Sequence, residues 1–107
     1  MPFRVTITEH AERDLEDIVE YIAAHDSPAK AMHVLDKLEQ TIAGLSELPN
    51  RGAHPRELLE LGIRSFRQIF FKRYRVIYGV VGDLVHVYLV ADGRRDMKAL
   101  LERRLLS

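Results

Sequence analysis

The chain contains no cysteine. A disulfide framework, a thiolate metal site and a cysteine nucleophile are thereby excluded, and a reducing compartment fits the absence. No apolar run is long enough to cross a bilayer. The opening Met-Pro-Phe-Arg-Val-Thr-Ile also lacks the basic segment and long apolar stretch of a secretory signal. The expected location is therefore the cytoplasm, reached by elimination, with no membrane partner. Net charge is missing too, since sixteen Lys and Arg balance sixteen Asp and Glu, which on its face argues against a nucleic-acid binder. No repeat or linker interrupts the chain.

What is present is enough for one domain spanning 1–107. A hydrophobic fraction of 47% excludes disorder as a default, and 107 residues can bury a core without metals or cross-links. The charges are unevenly placed. Residues 1–50 carry ten acids and four bases, a balance of −6, whereas residues 51–107 carry six acids and twelve bases, a balance of +6. Such polarity implies a basic working surface with an acidic half behind it.

The periodicity gives the order of elements. Phe3, Val5 and Ile7 alternate with Arg4, Thr6 and Thr8, the pattern of a half-buried strand. From Glu9 the spacing becomes helical, with Ala11, Leu15, Ile18, Val19 and Ile22 on one face, fading at Ala24-His25. Ser27 then offers an N-cap and Pro28 suits the first position of a second helix. The apolar stripe of that helix is read as Met32, Leu35, Leu38, Ile42 and Leu45. So short a connection requires an antiparallel helical hairpin. A polar loop follows to about Gly62, with room for a helical turn at Glu57 to Leu61. Three strands come next: Ile63 to Phe71, Tyr74 to Val81 and Leu84 to Ala91, with turns at Lys72-Arg73 and Gly82-Asp83. Arg95 to Leu106 reads as a basic amphipathic helix with Met97, Leu100, Leu101 and Leu105 on one face, better suited to packing on its own domain than to a membrane. The fold class is α+β, of order β-α-α-β-β-β, with the helical hairpin on one face of a mainly antiparallel sheet and a C-terminal helix added. The second face of the sheet is then the surface of interest, because only one helical pair exists to cover it.

Few residues can carry chemistry. His10, His25, His33, His54 and His86 are scattered without the spacing of a zinc site, so neither metal nor cofactor is expected. Ser27 reads as a cap and Ser46 lies near a helix end, and neither sits in a nucleophile elbow. The arginines differ. Arg64, Arg67, Lys72, Arg73 and Arg75 lie on or between the second and third strands, and Arg94 and Arg95 follow the fourth. Guanidinium groups grip phosphate or carboxylate in a two-pronged fashion and stack on aromatics. Arg75 shares a strand face with Ile77 and Gly79. That position fits either a partly buried ion pair or an active surface.

Three stretches together resemble the RelE/ParE superfamily of toxins from type II toxin-antitoxin systems. Ala11, Leu15, Ile18, Tyr21 and Ile22 follow the family's A-x-x-D/E-L-x-x-I-x-x-Y-I-A rhythm. Pro49-Asn50-Arg51-Gly52 with Glu57-Leu58 forms the second stretch. Tyr74-Arg75-Val76-Ile77-Tyr78 with Val90-Ala91-Asp92-Gly93-Arg94-Arg95-Asp96 forms the third and most specific. The resemblance implies a toxin held inactive by a cognate ParD-like antitoxin, whose acidic C-terminal segment lies on the toxin's surface. It also implies one of two targets: DNA gyrase, inhibited by binding, or the ribosome, where relatives cleave mRNA. Arg75 matches the central-strand arginine that cleaving members set against phosphate. Asp92 stands where many relatives have histidine, and the C-terminal Tyr or His pair of the nucleases has no counterpart after Arg95. His86 and Tyr88 are the substitutes on offer. These departures favour the ParE branch, with gyrase as the expected target. The resemblance then makes Arg94, Arg95 and Lys98 the expected target-binding residues, supported by Lys72, Arg73 and Arg75, and makes Arg64, Arg67, Met97 and Leu101 the expected antitoxin contacts.

Overall fold

Strand β1 (Arg4–Ile7) leads directly into α1 (Glu9–His25), whose N-cap Thr8 accepts a hydrogen bond from the Ala11 amide at 3.1 Å. The computed structural model, which describes residues 2–106, continues with α2 (Pro28–Ala43) and a 3₁₀ turn at Gly44–Ser46. As the sequence indicates, Ser27 caps α2, accepting from Lys30 N–H at 3.1 Å, with Pro28 in the first turn. A short helix, α3 (Arg56–Leu59), precedes β2 (Arg67–Phe71), β3 (Tyr74–Val81), β4 (Leu84–Asp92) and α4 (Met97–Leu105). The four strands form one sheet of order β1-β4-β3-β2. Its two hairpin pairs are antiparallel, while β1 runs parallel to β4, so the sheet is mixed with two antiparallel pairs out of three.

Strand β3 is buried from Tyr74 to Gly79 because both faces of the sheet are covered. Tyr74, Val76 and Tyr78 pack with Val85, Val87 and Val90 of β4 against the helical hairpin, which contributes Leu15, Ile22, Leu38 and Ile42. Ile77, Leu89 and Ala91 face the other way and form a second core with Leu58 of α3 and Met97, Leu100 and Leu101 of α4. The second sheet face is thus half covered, contrary to the expectation of an open one, because α4 carries enough apolar surface to close it. Two further corrections concern boundaries. The α2 stripe is Ala31, Val34, Leu38 and Ile42, and Met32 is 57% exposed; the small Ala31 lets the two helices approach closely. Residues 63–66 do not join β2. Gly62, at φ +77°, turns the chain after α3, and Ile63 and Phe66 pack into the second core.

Two partly buried ion pairs fasten the layers. Arg75 donates Nη1 and Nη2 to the Glu57 carboxylate at 2.8 and 2.9 Å and Nε to the Gln68 side-chain oxygen at 2.8 Å, tying β3 to α3 and β2. Where β1 ends at Ile7, the outer edge of β4 loses its strand neighbour. There Val90 N–H is taken by the Asp14 carboxylate at 3.0 Å, and the Tyr88 carbonyl accepts from Arg104 at 3.0 Å. Arg104 also forms a two-pronged pair with Asp14 at 2.9 and 3.0 Å, which draws α1, β4 and α4 together. Side chains thereby satisfy backbone groups that a free strand edge would leave open.

Leu101 has no exposed surface, so Leu101→Ala is expected to lower unfolding free energy by about 2–5 kcal/mol in a urea titration, the cost of a core cavity. A loss below about 1 kcal/mol would mean that α4 is not docked in solution. The Arg75 hydrogen bonds hold the Glu57 carboxyl at about 2, well below its ordinary 4.5, by stabilising the charged form. A depressed pKa contributes stability that is present above about pH 4.5 and disappears as pH falls towards 2. Glu57→Gln is therefore expected to flatten the acid limb of the stability profile. At neutral pH it should cost about 1–3 kcal/mol, because Arg75 loses its counter-charge while glutamine can keep one of its hydrogen bonds. An unchanged acid limb would remove Glu57 from this role.

Candidate functional site

The basic residues singled out by the sequence meet at one end of the sheet, where Tyr74 pairs with Asp92 and the turn at Lys72-Arg73 lies beside the one at Gly93-Arg94-Arg95. Asp92 organises this end. Its carboxylate accepts from Arg73 Nε at 2.9 Å, from Arg94 Nη2 at 2.8 Å and from the Arg94 backbone N–H at 2.9 Å. These bonds, those of Arg94 foremost, pull the Asp92 carboxyl down to about 2 from 3.8, and the same contact raises Arg94 above its usual value. The aspartate therefore stays ionised at any physiological pH and arrays two guanidinium groups in fixed directions. Arg73 in addition stacks over the Tyr74 ring, 5.3 Å from its centre. Arg95 is exposed, and its side chain has no hydrogen bond or ion pair among the described residues. A cleft of about 340 Å³ runs from this cluster along α1, floored by Ile18, Tyr74 and Val90, with Tyr21 on its rim at 61% exposure.

Arg75 lies apart from that cluster in chemical terms. It is 9% exposed, and its three nitrogens are all engaged by Glu57 and Gln68. Of the two readings its sequence position allowed, the buried ion pair is the one realised. The following turn packs closely on it: a Cβ on Gly93 would lie 3.0 Å from Arg75 Cδ and 3.2 Å from the Arg73 carbonyl oxygen.

The remaining candidates are dispersed. Lys98 is exposed on α4, but Met97 and Leu101 of the same helix are 4% and 0% exposed, inside the second core. Their amphipathic spacing reflects packing within the domain, and neither offers a surface to a partner while α4 is docked. Arg64 is exposed and its side chain is without a partner among the described residues, whereas Arg67 donates to the Gly52 and Asn50 carbonyls at 2.7 and 3.3 Å and holds the preceding loop on β2. His86 and Tyr88 are neighbours, with ring centres 6.1 Å apart, on the part of the second face that α4 leaves uncovered. A bulge after Ile77 puts Tyr88 on that face together with Leu89, and Phe66 meets the Tyr88 ring edge-on at 5.5 Å. His86 Nδ1 is 2.7 Å from Thr6 Oγ1. Tyr88 is three residues along β4 from the partner of Arg75, and His86 five, roughly 10 and 16 Å at the rise of a strand. Among the described residues no group of three or more acidic or imidazole side chains could hold a metal ion, and no helix is long and apolar enough to cross a membrane. Sequence reasoning passed over Asp14, Arg104 and Gln68, and it quoted Glu57 only as part of a motif.

The family model for the ParE toxin of the type II toxin-antitoxin system parDE matches residues 5–97. No curated protein matches the chain in sequence. Among solved structures, the chromosomal ParDE system of P. aeruginosa superposes with a TM-score of 0.72 at 18% identity, covering 84% of this chain and 95% of that one. The RelBE2 toxin-antitoxin complex of Mycobacterium tuberculosis gives 0.63 at 23% identity over 86% and 99%. The E. coli toxin RelE, in the free state with two arginines replaced by alanine, gives 0.65 at 17% identity over 98% and 100%. At such identities the structural likeness carries the fold, while the sequence model, spanning most of the chain, carries the membership. An arginine-rich strand end, a buried central-strand arginine and a helical hairpin on a four-stranded sheet are thus the features of a chain that belongs to the ParE toxin family of type II toxin-antitoxin systems.

Proposed function

We propose that this toxin acts by binding, with DNA gyrase as its target, and that a cognate ParD-like antitoxin with an acidic C-terminal segment neutralises it. The observation that carries this reading is the state of Arg75. An endoribonuclease needs a cation free to stabilise charge on the scissile phosphate. Here both terminal nitrogens of the central-strand arginine already hold a carboxylate, at 2.8 and 2.9 Å. Glu57 sits where the phosphate would have to come, and its depressed pKa keeps it charged. The candidate acid and base, His86 and Tyr88, are offset by five and three residues along β4 from Ala91, the strand partner of Arg75. Zero net charge also argues against the strong salt-dependent attraction to RNA that ribosomal cleavage requires.

Binding a protein asks for something else: a rigid, directional group of donors at an exposed edge. Arg73 and Arg94, oriented by Asp92, supply it together with the exposed Arg95, backed by an apolar cleft with an exposed tyrosine. The same cleft, basic at one end and apolar along its floor, suits a helical antitoxin segment bearing acidic residues. Lys72, in the same turn as Arg73, adds positive charge, and Lys98 is a further exposed cation on α4.

Replacing Arg94 and Arg95 together by alanine is expected to abolish inhibition of supercoiling by purified, antitoxin-free protein. The thermal midpoint should move by no more than a few degrees, since exposed ion pairs contribute about 1 kcal/mol or less. A fully active double variant would remove this edge from the target interface. The parent protein should inhibit gyrase in a dose-dependent way and trap cleaved DNA. Growth arrest without any effect on gyrase would transfer the target to the ribosome and direct substitution to His86 and Tyr88.

A further inference from the structure

The cleft along α1 carries charge of both signs, and the sign changes along the helix. Asp14, Asp17, Ile18 and Tyr21 form its α1 wall at spacings of three, four and seven residues, so they share one helix face and span roughly 10 Å of its axis. Tyr21 belongs to the basic end: after Asp92, it is among the groups that hold Arg94 above its usual pKa. Asp14 belongs to the other end, where it takes Val90 N–H and both terminal nitrogens of Arg104.

Three acids line the cleft, and two of them are used within the fold: Asp14 by Arg104, and Asp92 by Arg73 and Arg94. Asp17 is the third. It is exposed, and its carboxylate has no hydrogen bond or ion pair among the described residues. Whatever fills the cleft must cover it. Under an apolar side chain the carboxylate would lose its water without a new partner, and under an acid it would meet a like charge. A lysine or arginine makes the covering favourable. The demand is reversed at the other end, where Arg95 is without a partner and Arg73 keeps Nη1 free of its bonds to Asp92 and Tyr74. Between the two, Ile18 offers an apolar seat.

On the reading that this cleft receives the antitoxin, we infer that the bound segment is not uniformly acidic. It carries a base opposite Asp17, an apolar residue over Ile18 and an acid opposite the arginines, the two charges one to two helical turns apart. Asp17 is then a specificity residue: an all-acidic segment would satisfy the arginines but press a carboxylate against it, so non-cognate antitoxins are rejected by repulsion.

The test is calorimetric titration of the full chain with its full-length cognate antitoxin. Asp17→Asn is expected to weaken binding about tenfold and Asp17→Lys about a hundredfold. Glu20→Lys makes the same change of charge on α1 outside the cleft, and should stay within about twofold of the parent. Both positions are exposed, so the thermal midpoints should match that of the parent. Glutamate in place of one lysine or arginine of the antitoxin segment should restore affinity for the Asp17→Lys protein while weakening the parent complex. Parent-like affinity in Asp17→Lys overturns the proposal, as does an equal loss in Glu20→Lys. Loss of gyrase inhibition with antitoxin affinity unchanged would give the cleft to the target. Self-association of the parent that Asp17→Lys abolishes would give it to a second copy of the chain, and either result overturns the proposal. A parent that fails to bind the antitoxin at all removes the underlying reading too, which tells the two failures apart.

Discussion

The buried contact between Arg75 and Glu57 fixes more of this molecule than its size suggests. Arg75 sits on a central strand, its guanidinium is closed off by Glu57 and Gln68, and its aliphatic stem lies under the turn that begins at Gly93. Through those contacts β2, α3, β3 and the start of the Arg94–Arg95 turn are held in one arrangement. Such a pair adds little net stability, because desolvating two charges offsets much of their attraction. Its effect is on specificity: any packing that separates the partners leaves a charge buried alone, so competing arrangements are heavily penalised. The exposed arginines at the strand end inherit their position from this constraint, and Asp92 then sets the direction of Arg73 and Arg94.

The same pair bears on how one fold can host different modes of action. A central-strand arginine open to solvent is an anion site; one closed by a carboxylate is a structural strut. In this chain the closing acid is Glu57, on a one-turn helix outside the main core. Likeness of fold to RelE and ParE structures therefore leaves the activity open.

Local patterns in the sequence were enough for most of the elements. The alternation over Tyr74 to Val81 and the two-residue turns on either side give β3 with its observed limits, and Ser27-Pro28 gives the start of α2. What pattern could not supply was partnership across the chain. Glu57 lies 18 positions from Arg75, and Asp14 lies 90 from Arg104, and nothing local tells which acid meets which base. Burial on α2 was misassigned by one position, because Met32 is large and apolar whereas Ala31 is small. Contact between helices rewards the small residue. In β4 the run Val87-Tyr88-Leu89-Val90 is apolar throughout, so the bulge that shifts its register has no signature in hydrophobicity. For the site, the arginines were legible as a group, but which were free and which engaged was not, since that depends on the acids facing them.

Gly52 shows how such constraints look over generations. Its amide donates to the Tyr78 hydroxyl at 3.1 Å, and a Cβ there would fall 2.7 Å from that hydroxyl and 2.4 Å from the Gln68 carbonyl oxygen. Had the obstacle been the hydroxyl alone, a phenylalanine at position 78 would have made room for alanine. The carbonyl belongs to the main chain, however, and every amino acid brings the same one. No second change of side chain can compensate, so any chain that keeps this loop against β2 needs glycine at position 52.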